Sequence, residues 1–261
     1  MSRFKAIVLD LDGTLLDNKK RVSYTNLQAI QKCYSLGFHI ILATARPPRW
    51  VKEYVPSDLL SLGPIIYYNG ALIRNADLSL NQHFPIDEKL SKQILTHTLS
   101  NINRYKISIE SMDSWFSIEP LDYSAFMSVR QNPQVITKQE FLKTPCTKIL
   151  LTHYTNSHDF INEFKDVANI VETDTKRLIQ VMSKDVSKER AVASILNSLG
   201  CNLSNTIVFG DDYNDVDIFR TCGFPIAMGN AVPKLKKLAK YITVDNNNNG
   251  VAIGLEHVLD L

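Results

Sequence analysis

Two short clusters of aspartates contain the side chains best suited to chemistry. Asp10 and Asp12 are two residues apart, so their side chains point the same way if a strand continues through them. A second cluster contains Asp211, Asp212, Asp215 and Asp217. Carboxylates that converge raise one another's pKa, and a bound divalent cation relieves their repulsion. Because every ligand offered is an oxygen, the clusters favour Mg²⁺ over Zn²⁺, which prefers nitrogen and sulfur.

Each cluster taken alone also fits a purely structural role. Asp10 and Asp12 could lie in a turn, and Asp211 and Asp212 could cap a helix. Neither cluster has the spacing of an EF-hand calcium loop, which needs a glycine at its sixth position and a late glutamate. The segments around the clusters therefore decide whether the aspartates have a chemical or a structural role.

Three apolar segments that are typical of buried strands end at polar residues. Segment 4–9 leads into Asp10, segment 38–43 leads into Thr44, and segment 206–209 leads into the second aspartate cluster. In an open parallel sheet the ligands bind at the carboxyl ends of the strands. We therefore expect these polar residues to meet at one edge of a sheet.

Helical patterns separate the strands. A helix is predicted over 23–36, with Ser23 at its start, and another over 188–199, with Gly200 after its end. Strand, helix and strand in this order form a βαβ unit, which implies a parallel sheet and an α/β fold class.

The pattern changes in the middle of the chain. A helix predicted over 86–99 is followed by segments with partial alternation, which indicates an α+β section with antiparallel pairing. Buried strands return afterwards. The sequence thus predicts an α/β domain formed by residues 1–82 and 185–261, interrupted by an inserted α+β domain of residues 83–184.

Four short motifs follow one another along the chain. They are Asp10-Leu-Asp12-Gly-Thr-Leu, Thr44 within Ala-Thr-Ala-Arg-Pro, Lys188 within Ser-Lys-Glu-Arg-Ala, and Gly210-Asp211-Asp212-Tyr-Asn214-Asp215. This set resembles the four motifs of the haloacid dehalogenase superfamily of phosphohydrolases. Three further segments resemble its Cof-like sugar-phosphate phosphatase branch: Asn69-Gly70-Ala71, Ala227-Met228-Gly229-Asn230-Ala231 and Asn249-Gly250-Val251-Ala252. The resemblance implies a Rossmann-like parallel-sheet core with an inserted α+β cap that selects the substrate.

The resemblance also implies phosphoryl transfer through an aspartyl-phosphate. Asp10 would be the nucleophile, and Asp12 would act first as general acid and then as general base. Mg²⁺ would be held by Asp10, by the backbone carbonyl of Asp12 and by Asp211. Asp215 would orient the metal ligands and Lys188.

Five more residues are implied to contact the phosphate or the rest of the substrate. Thr44 would donate a hydrogen bond to the phosphate, and Lys188 would neutralise its developing charge. The other three are Arg46, Asn69 and Asn214, of which Asn214 could also help Asp215 to orient the ligands.

Other functions stay open on the sequence alone. A phosphomutase of the same superfamily shares the nucleophile and the cap, and releases an isomerised product instead of free phosphate. A binding or regulatory relative could keep the fold without catalysis, although every catalytic residue type is present here. An ATPase domain of the cation-pump kind is disfavoured, because those chains have threonine two residues after the nucleophile.

Composition limits the class of protein. The 261 residues are 44% hydrophobic and 21% charged, which is typical of a folded globular chain. The net charge of +2 argues against a nucleic-acid partner. The four cysteines have no zinc-type spacing, and we predict no signal peptide and no membrane segment. We therefore expect a cytoplasmic enzyme that acts on a small-molecule phosphate ester; no oligomeric state is predicted.

Overall fold

The chain folds around two separate β-sheets, as a computed structural model shows, and it divides into two units. One unit comprises residues 1–82 and 187–261, and the other comprises residues 83–186. The structure describes residues 3–75, 80–101, 104–124, 129, 131–154, 157–173 and 177–259. Among these residues, no helix combines the length and the apolar character that crossing a membrane requires.

Fourteen strands and ten α-helices make up the described part of the chain. The strands are β1 (Ala6–Leu9), β2 (His39–Ala43), β3 (Ile65–Tyr67), β4 (Leu72–Asn75), β5 (Leu80–His83), β6 (Lys106–Ser111), β7 (Ser114–Ser117), β8 (Gln134–Val135), β9 (Lys148–Thr152), β10 (Ala168–Thr173), β11 (Leu178–Ser183), β12 (Thr206–Gly210), β13 (Phe224–Ala227) and β14 (Tyr241–Ile242). The helices are α1 (Tyr24–Ser35), α2 (Pro48–Tyr54), α3 (Ser57–Leu60), α4 (Glu88–Ser100), α5 (Lys138–Lys143), α6 (His158–Phe164), α7 (Lys188–Ser198), α8 (Val216–Thr221), α9 (Pro233–Leu238) and α10 (Gly250–Leu259).

The first unit is built on an eight-stranded sheet with the order β14-β13-β12-β1-β2-β3-β4-β5. The strands from β14 to β3 are parallel, and β4 adds antiparallel to β3. The register pairs Leu9 with both Leu42 and Phe209. Three neighbouring strands therefore end together, and the residues that follow them, Asp10 and Asp211 among them, lie at one edge of the sheet.

Capping serines begin two helices, α1 and α7, at the positions that the sequence predicts. The Ser23 hydroxyl accepts a hydrogen bond from the Asn26 backbone N–H at 3.1 Å and caps α1. The Ser187 hydroxyl caps α7 in the same way, through the Arg190 N–H at 3.1 Å. This second cap starts α7 at Lys188 and puts that lysine in the first turn of the helix.

The helix α10 was not predicted, and its two glycines lower helix propensity. The structure shows why two glycines are nevertheless needed there. A Cβ on Gly254 would lie 2.6 Å from the Phe209 ring, and one on Gly250 would lie 2.4 Å from the Val244 carbonyl oxygen. The close approach of α10 to the sheet thus outweighs the local cost of glycine.

The second unit contains a six-stranded sheet with the order β10-β11-β9-β6-β7-β8. Its core packs the helices α4, α5 and α6 on one face, with Phe141, Phe160 and Phe164 at most 1% exposed. The predicted antiparallel pairing is present from β10 to β7, but it is wrong for β8, which adds parallel to β7. Residues 118–133 separate those two strands, and a connection of that length permits a parallel crossover.

Candidate active site

Lys188 lies between two buried carboxylates at the edge where β1 and β12 end. Its Nζ is 2.5 Å from Asp10 Oδ1 and 2.8 Å from Asp215 Oδ1. The three side chains are 2%, 8% and 2% exposed. Burial lowers the pKa of Lys188, but the two carboxylates raise it by more, so that its pKa stays above the ordinary value. The ammonium is therefore charged and fixed.

A third carboxylate, that of Asp211, completes a compact acidic group. One oxygen from each of Asp10, Asp211 and Asp215 lies within 4.8 Å of the others. Burial and the neighbouring Asp215 raise the pKa of Asp211 to about 7, and burial also raises the pKa of Asp10, against the opposing effect of Lys188. The positive charge of one lysine thus does not neutralise three carboxylates. A group of oxygen ligands with excess negative charge suits a divalent cation such as Mg²⁺.

Two glycines make room for these carboxylates. Gly13 has a φ of +76°, and a Cβ at this position would lie 2.1 Å from Asp211 Oδ2. A Cβ on Gly210 would lie 2.5 Å from Asp215 Oδ2. The Asp215 carboxylate also accepts hydrogen bonds from the backbone N–H groups of Asp211 at 3.1 Å and Asp212 at 3.4 Å. The turn after β12 therefore folds around the Asp215 side chain.

Asp12 stands outside this group and is held by two cations. Arg46 donates to both of its oxygens, at 2.7 and 3.2 Å, and Lys20 Nζ donates to Oδ1 at 2.6 Å. Burial raises the pKa of Asp12, but these cations lower it to below its ordinary value. The buried ring of Trp50 lies against the Arg46 guanidinium, at 4.6 Å from Cζ to the ring centroid. The Asp12 carboxylate is thus ionised and oriented.

The remaining predicted residues form a connected rim. The Thr44 hydroxyl, buried directly after β2, accepts from the Arg46 backbone N–H at 3.1 Å, and the Thr44 carbonyl accepts from the Asn69 N–H at 2.8 Å. Asn69 has a φ of +54°, and its side-chain oxygen accepts from Asn214 Nδ2 at 3.1 Å. Hydrogen bonds therefore link three separate chain segments to one another at this edge.

Three residues near the site were missed from the sequence. Thr14 Oγ1 donates to Asp211 Oδ1 at 3.2 Å, Asn230 Nδ2 donates to Asp211 Oδ2 at 3.3 Å, and Lys20 contacts Asp12. Thr14 and Asn230 lie within the motifs quoted above, and membership of those motifs was their signal in the sequence. Lys20 follows an exposed lysine in a turn and has no signal of its own in the sequence.

The comparison with protein families decides the assignment. A family model described as haloacid dehalogenase-like hydrolase matches residues 7–255. The chain belongs to the haloacid dehalogenase-like hydrolases. The predicted membership of this family and of its Cof-like branch is confirmed, and so is the prediction of a phosphohydrolase.

Relatives of this haloacid dehalogenase-like hydrolase match over nearly their whole length. A Streptococcus pyogenes protein is 29% identical over 260 residues, which cover 95% of this chain and 96% of that protein. The 5-amino-6-(5-phospho-D-ribitylamino)uracil phosphatase YitU of Bacillus subtilis is 26% identical, with 98% and 97% covered. A crystal structure from Thermotoga maritima has a TM-score of 0.85 at 24% identity, with 97% of each chain covered. The predicted fold class is confirmed.

Proposed function

We propose that this hydrolase is a magnesium-dependent phosphatase that cleaves small phosphorylated metabolites through an aspartyl-phosphate. The observation that carries the proposal is the compact group of Asp10, Asp211 and Asp215 at the ends of two adjacent parallel strands, in which Lys188 contacts the two buried carboxylates, Asp10 and Asp215. The relative from Bacillus subtilis, whose name specifies a small phosphorylated metabolite as substrate, supports this class of substrate.

The metal would be held by oxygen ligands at this edge of the sheet. We propose Asp10, Asp211 and the backbone carbonyl of Asp12 as ligands. Asp215 has an oxygen close to theirs, but its carboxylate already accepts from Lys188 and from the Asp211 and Asp212 backbone N–H groups, so it would orient the ligands and Lys188. When bound, Mg²⁺ would stabilise the negative charge of the transferring phosphoryl group.

Asp10 is the proposed nucleophile. Its Oδ1 is occupied by Lys188, and Oδ2 accepts no hydrogen bond from the residues that the structure describes. Oδ2 would attack the phosphorus atom, forming an O–P bond while the bond to the leaving oxygen breaks. Asp12, which is ionised in the structure, would first take up a proton from solvent as the negatively charged substrate binds, and would then give that proton to the leaving oxygen, so the substrate alcohol departs neutral.

The second half of the reaction regenerates the enzyme. Asp12, now ionised, would take a proton from a water molecule while the water oxygen attacks phosphorus, and the bond between phosphorus and Asp10 breaks. Free phosphate and the Asp10 carboxylate result. The ionised form of Asp12 that this step needs is the form that Arg46 and Lys20 favour in the structure.

The phosphate would be held by fixed donors around Asp10. We propose Thr44 and Lys188 as its principal contacts, because both side chains are buried at the strand ends and Lys188 already touches Asp10. Arg46, Asn69 and Asn214 would contact the phosphate or the rest of the substrate. We propose the unit of residues 83–186 as the part that selects among substrates.

Hydrolysis of p-nitrophenyl phosphate with and without Mg²⁺ tests the function. We expect turnover that requires the metal and falls by roughly 10³-fold or more in Asp10→Asn, because an amide cannot attack phosphorus. Asp217→Asn is the matched control, since Asp217 is a 70% exposed aspartate two residues after Asp215 and pairs with Arg220. Hydrolysis by Asp10→Asn at the wild-type rate would contradict the mechanism.

A panel of phosphorylated metabolites then tests the substrate class. We expect release of inorganic phosphate from sugar phosphates or from 5-amino-6-(5-phospho-D-ribitylamino)uracil-like phosphate esters. Chromatography of the organic product checks the reaction type, because an isomerised phosphate ester without free phosphate would indicate a phosphomutase.

A further inference from the structure

Asn230 is a polar residue of a quoted motif, and the proposed reaction gives it no role. Its Nδ2 donates to the Gly13 carbonyl at 2.8 Å and to Asp211 Oδ2 at 3.3 Å. Its Oδ1 accepts the backbone N–H of Asn246 at 3.1 Å. The amide nitrogen and the amide oxygen of Asn230 are thus both hydrogen-bonded, and these partners fix the orientation of the amide.

Asn246, the partner of Asn230, is itself firmly held. It is 5% exposed, and its Nδ2 donates to the Leu16 carbonyl at 2.8 Å, a hydrogen bond between residues 230 positions apart. The Asn230 amide therefore bridges the loop after β1 and the strand end at Asp211, while Asn246 fixes it from the far end of the chain.

Asp211 differs from the other two clustered carboxylates in the charge of its partners. Asp10 and Asp215 share the ammonium of Lys188, whereas the donors to Asp211 are the neutral Thr14 hydroxyl on Oδ1 and the neutral Asn230 amide on Oδ2. Neutral donors at both oxygens set the plane of a carboxylate without cancelling its charge. This arrangement orients Asp211 and leaves its charge available to a cation.

We propose that Asn230 is a positioning residue that orients Asp211 as a ligand of the divalent cation. The inference rests on the proposed function, in which Asp211 binds that cation. Removing a hydrogen-bond partner of a metal ligand lowers metal affinity by about 10–100-fold. Asn230→Ala should therefore weaken metal binding, although Asn230 itself provides no ligand atom.

Direct binding of Mn²⁺ to the full-length, chelator-stripped protein tests the inference. Electron paramagnetic resonance of free Mn²⁺ gives the Kd without any turnover. We expect Asn230→Ala to raise this Kd about 10-fold or more. Asn248→Ala is the control, because Asn248 is exposed and its amide donates to Asp245, away from Asp211. Its Kd should stay within about twofold of the wild-type value.

Activity at increasing Mg²⁺ supplies a second readout. In Asn230→Ala, the half-saturating Mg²⁺ concentration should rise in parallel with the Mn²⁺ Kd, while the KM for substrate at saturating Mg²⁺ stays near the wild-type value. Circular dichroism checks that each variant is folded. For a variant that does not fold, Asn230→Ser replaces it, with the same expected loss of affinity.

Two results would overturn the inference. An unchanged Mn²⁺ Kd in folded Asn230→Ala would show that Asn230 does not position Asp211, and a raised substrate KM with unchanged Kd would make Asn230 a substrate contact. A wild-type protein that binds Mn²⁺ but hydrolyses no phosphate ester would instead refute the proposed function and leave the role of Asn230 standing.

Discussion

At the scale of single residues, Asp12 is the carboxylate whose surroundings bear most directly on the proposed proton transfers. It is held by Arg46 and Lys20, both within 2.7 Å, rather than by Lys188. The position and the charge of this side chain are therefore set separately from those of the metal cluster. An acid–base role for Asp12 can thus be tested apart from metal binding.

Asp12→Asn should slow the enzyme according to the leaving group of the substrate. An amide cannot protonate the leaving oxygen, so kcat/KM should fall by about 10²-fold or more for alkyl phosphates. It should fall much less for p-nitrophenyl phosphate, whose leaving group needs little protonation. Steady-state kinetics over a series of leaving groups measures this difference, and an equal loss across the series would exclude the acid role.

Lys188 balances two buried carboxylates, so its removal should cost stability as well as activity. Breaking a buried ion pair leaves charge uncompensated, and we expect Lys188→Met to lower the free energy of unfolding of the metal-free protein by about 3–5 kcal/mol. Urea denaturation measures this change. Lys237→Met, at an exposed lysine of α9, is the control and should change it by less than about 0.5 kcal/mol. Equal effects of the two variants would contradict the prediction.

At the scale of elements, the site depends on turns that bring strand ends close to one another. Gly13 and Gly37 both have positive φ angles, of +76° and +89°. Only at Gly13 would a Cβ meet Asp211, whereas a Cβ on Gly37 has no atom within 4 Å. Substitutions at these two glycines therefore separate the effect of backbone strain from the effect of a Cβ atom that enters the site.

Gly13→Ala and Gly37→Ala should differ in metal binding. Backbone strain should lower the stability of both by about 1–2 kcal/mol. Gly13→Ala should in addition lower the affinity for Mn²⁺ by about 10-fold or more, because Asp211 must move. Thermal unfolding and Mn²⁺ titration measure the two effects. Unchanged Mn²⁺ affinity in Gly13→Ala would show that Asp211 is not confined by this turn.

At the scale of the whole molecule, the inserted unit has its own sheet and its own core, which includes Phe160 at 0% exposure. We therefore expect residues 83–186 expressed alone to fold, to unfold cooperatively on heating and to hydrolyse no phosphate ester. Circular dichroism measures the transition. Phe160→Ala should lower its stability by about 3–5 kcal/mol, and Val171→Ala, at a 40% exposed valine, by much less. A fragment without a cooperative transition would contradict this expectation.

Much of the fold could be predicted because its signals are local. Apolar runs indicated β1, β2 and β12, the cap at Ser23 indicated α1, and the stop at Gly200 indicated the end of α7. The strands β4 and β5 and the helix α10 were not predicted. Pairing with β3 fixes the conformation of β4, and packing against Phe209 of β12 fixes that of α10.

The sequence by itself determined the family and the set of reactive residue types, because the motifs occupy short segments and strand ends follow from apolar periodicity. Only the tertiary structure decided which atoms meet. Asp12 bonds to Lys20 and Arg46, Asp215 shares Lys188 with Asp10, and Asn230 bonds to Asp211. These contacts join segments that are distant in the sequence. The register of the sheet, the glycine turns and burial bring those segments together, and no local sequence pattern encodes where they meet.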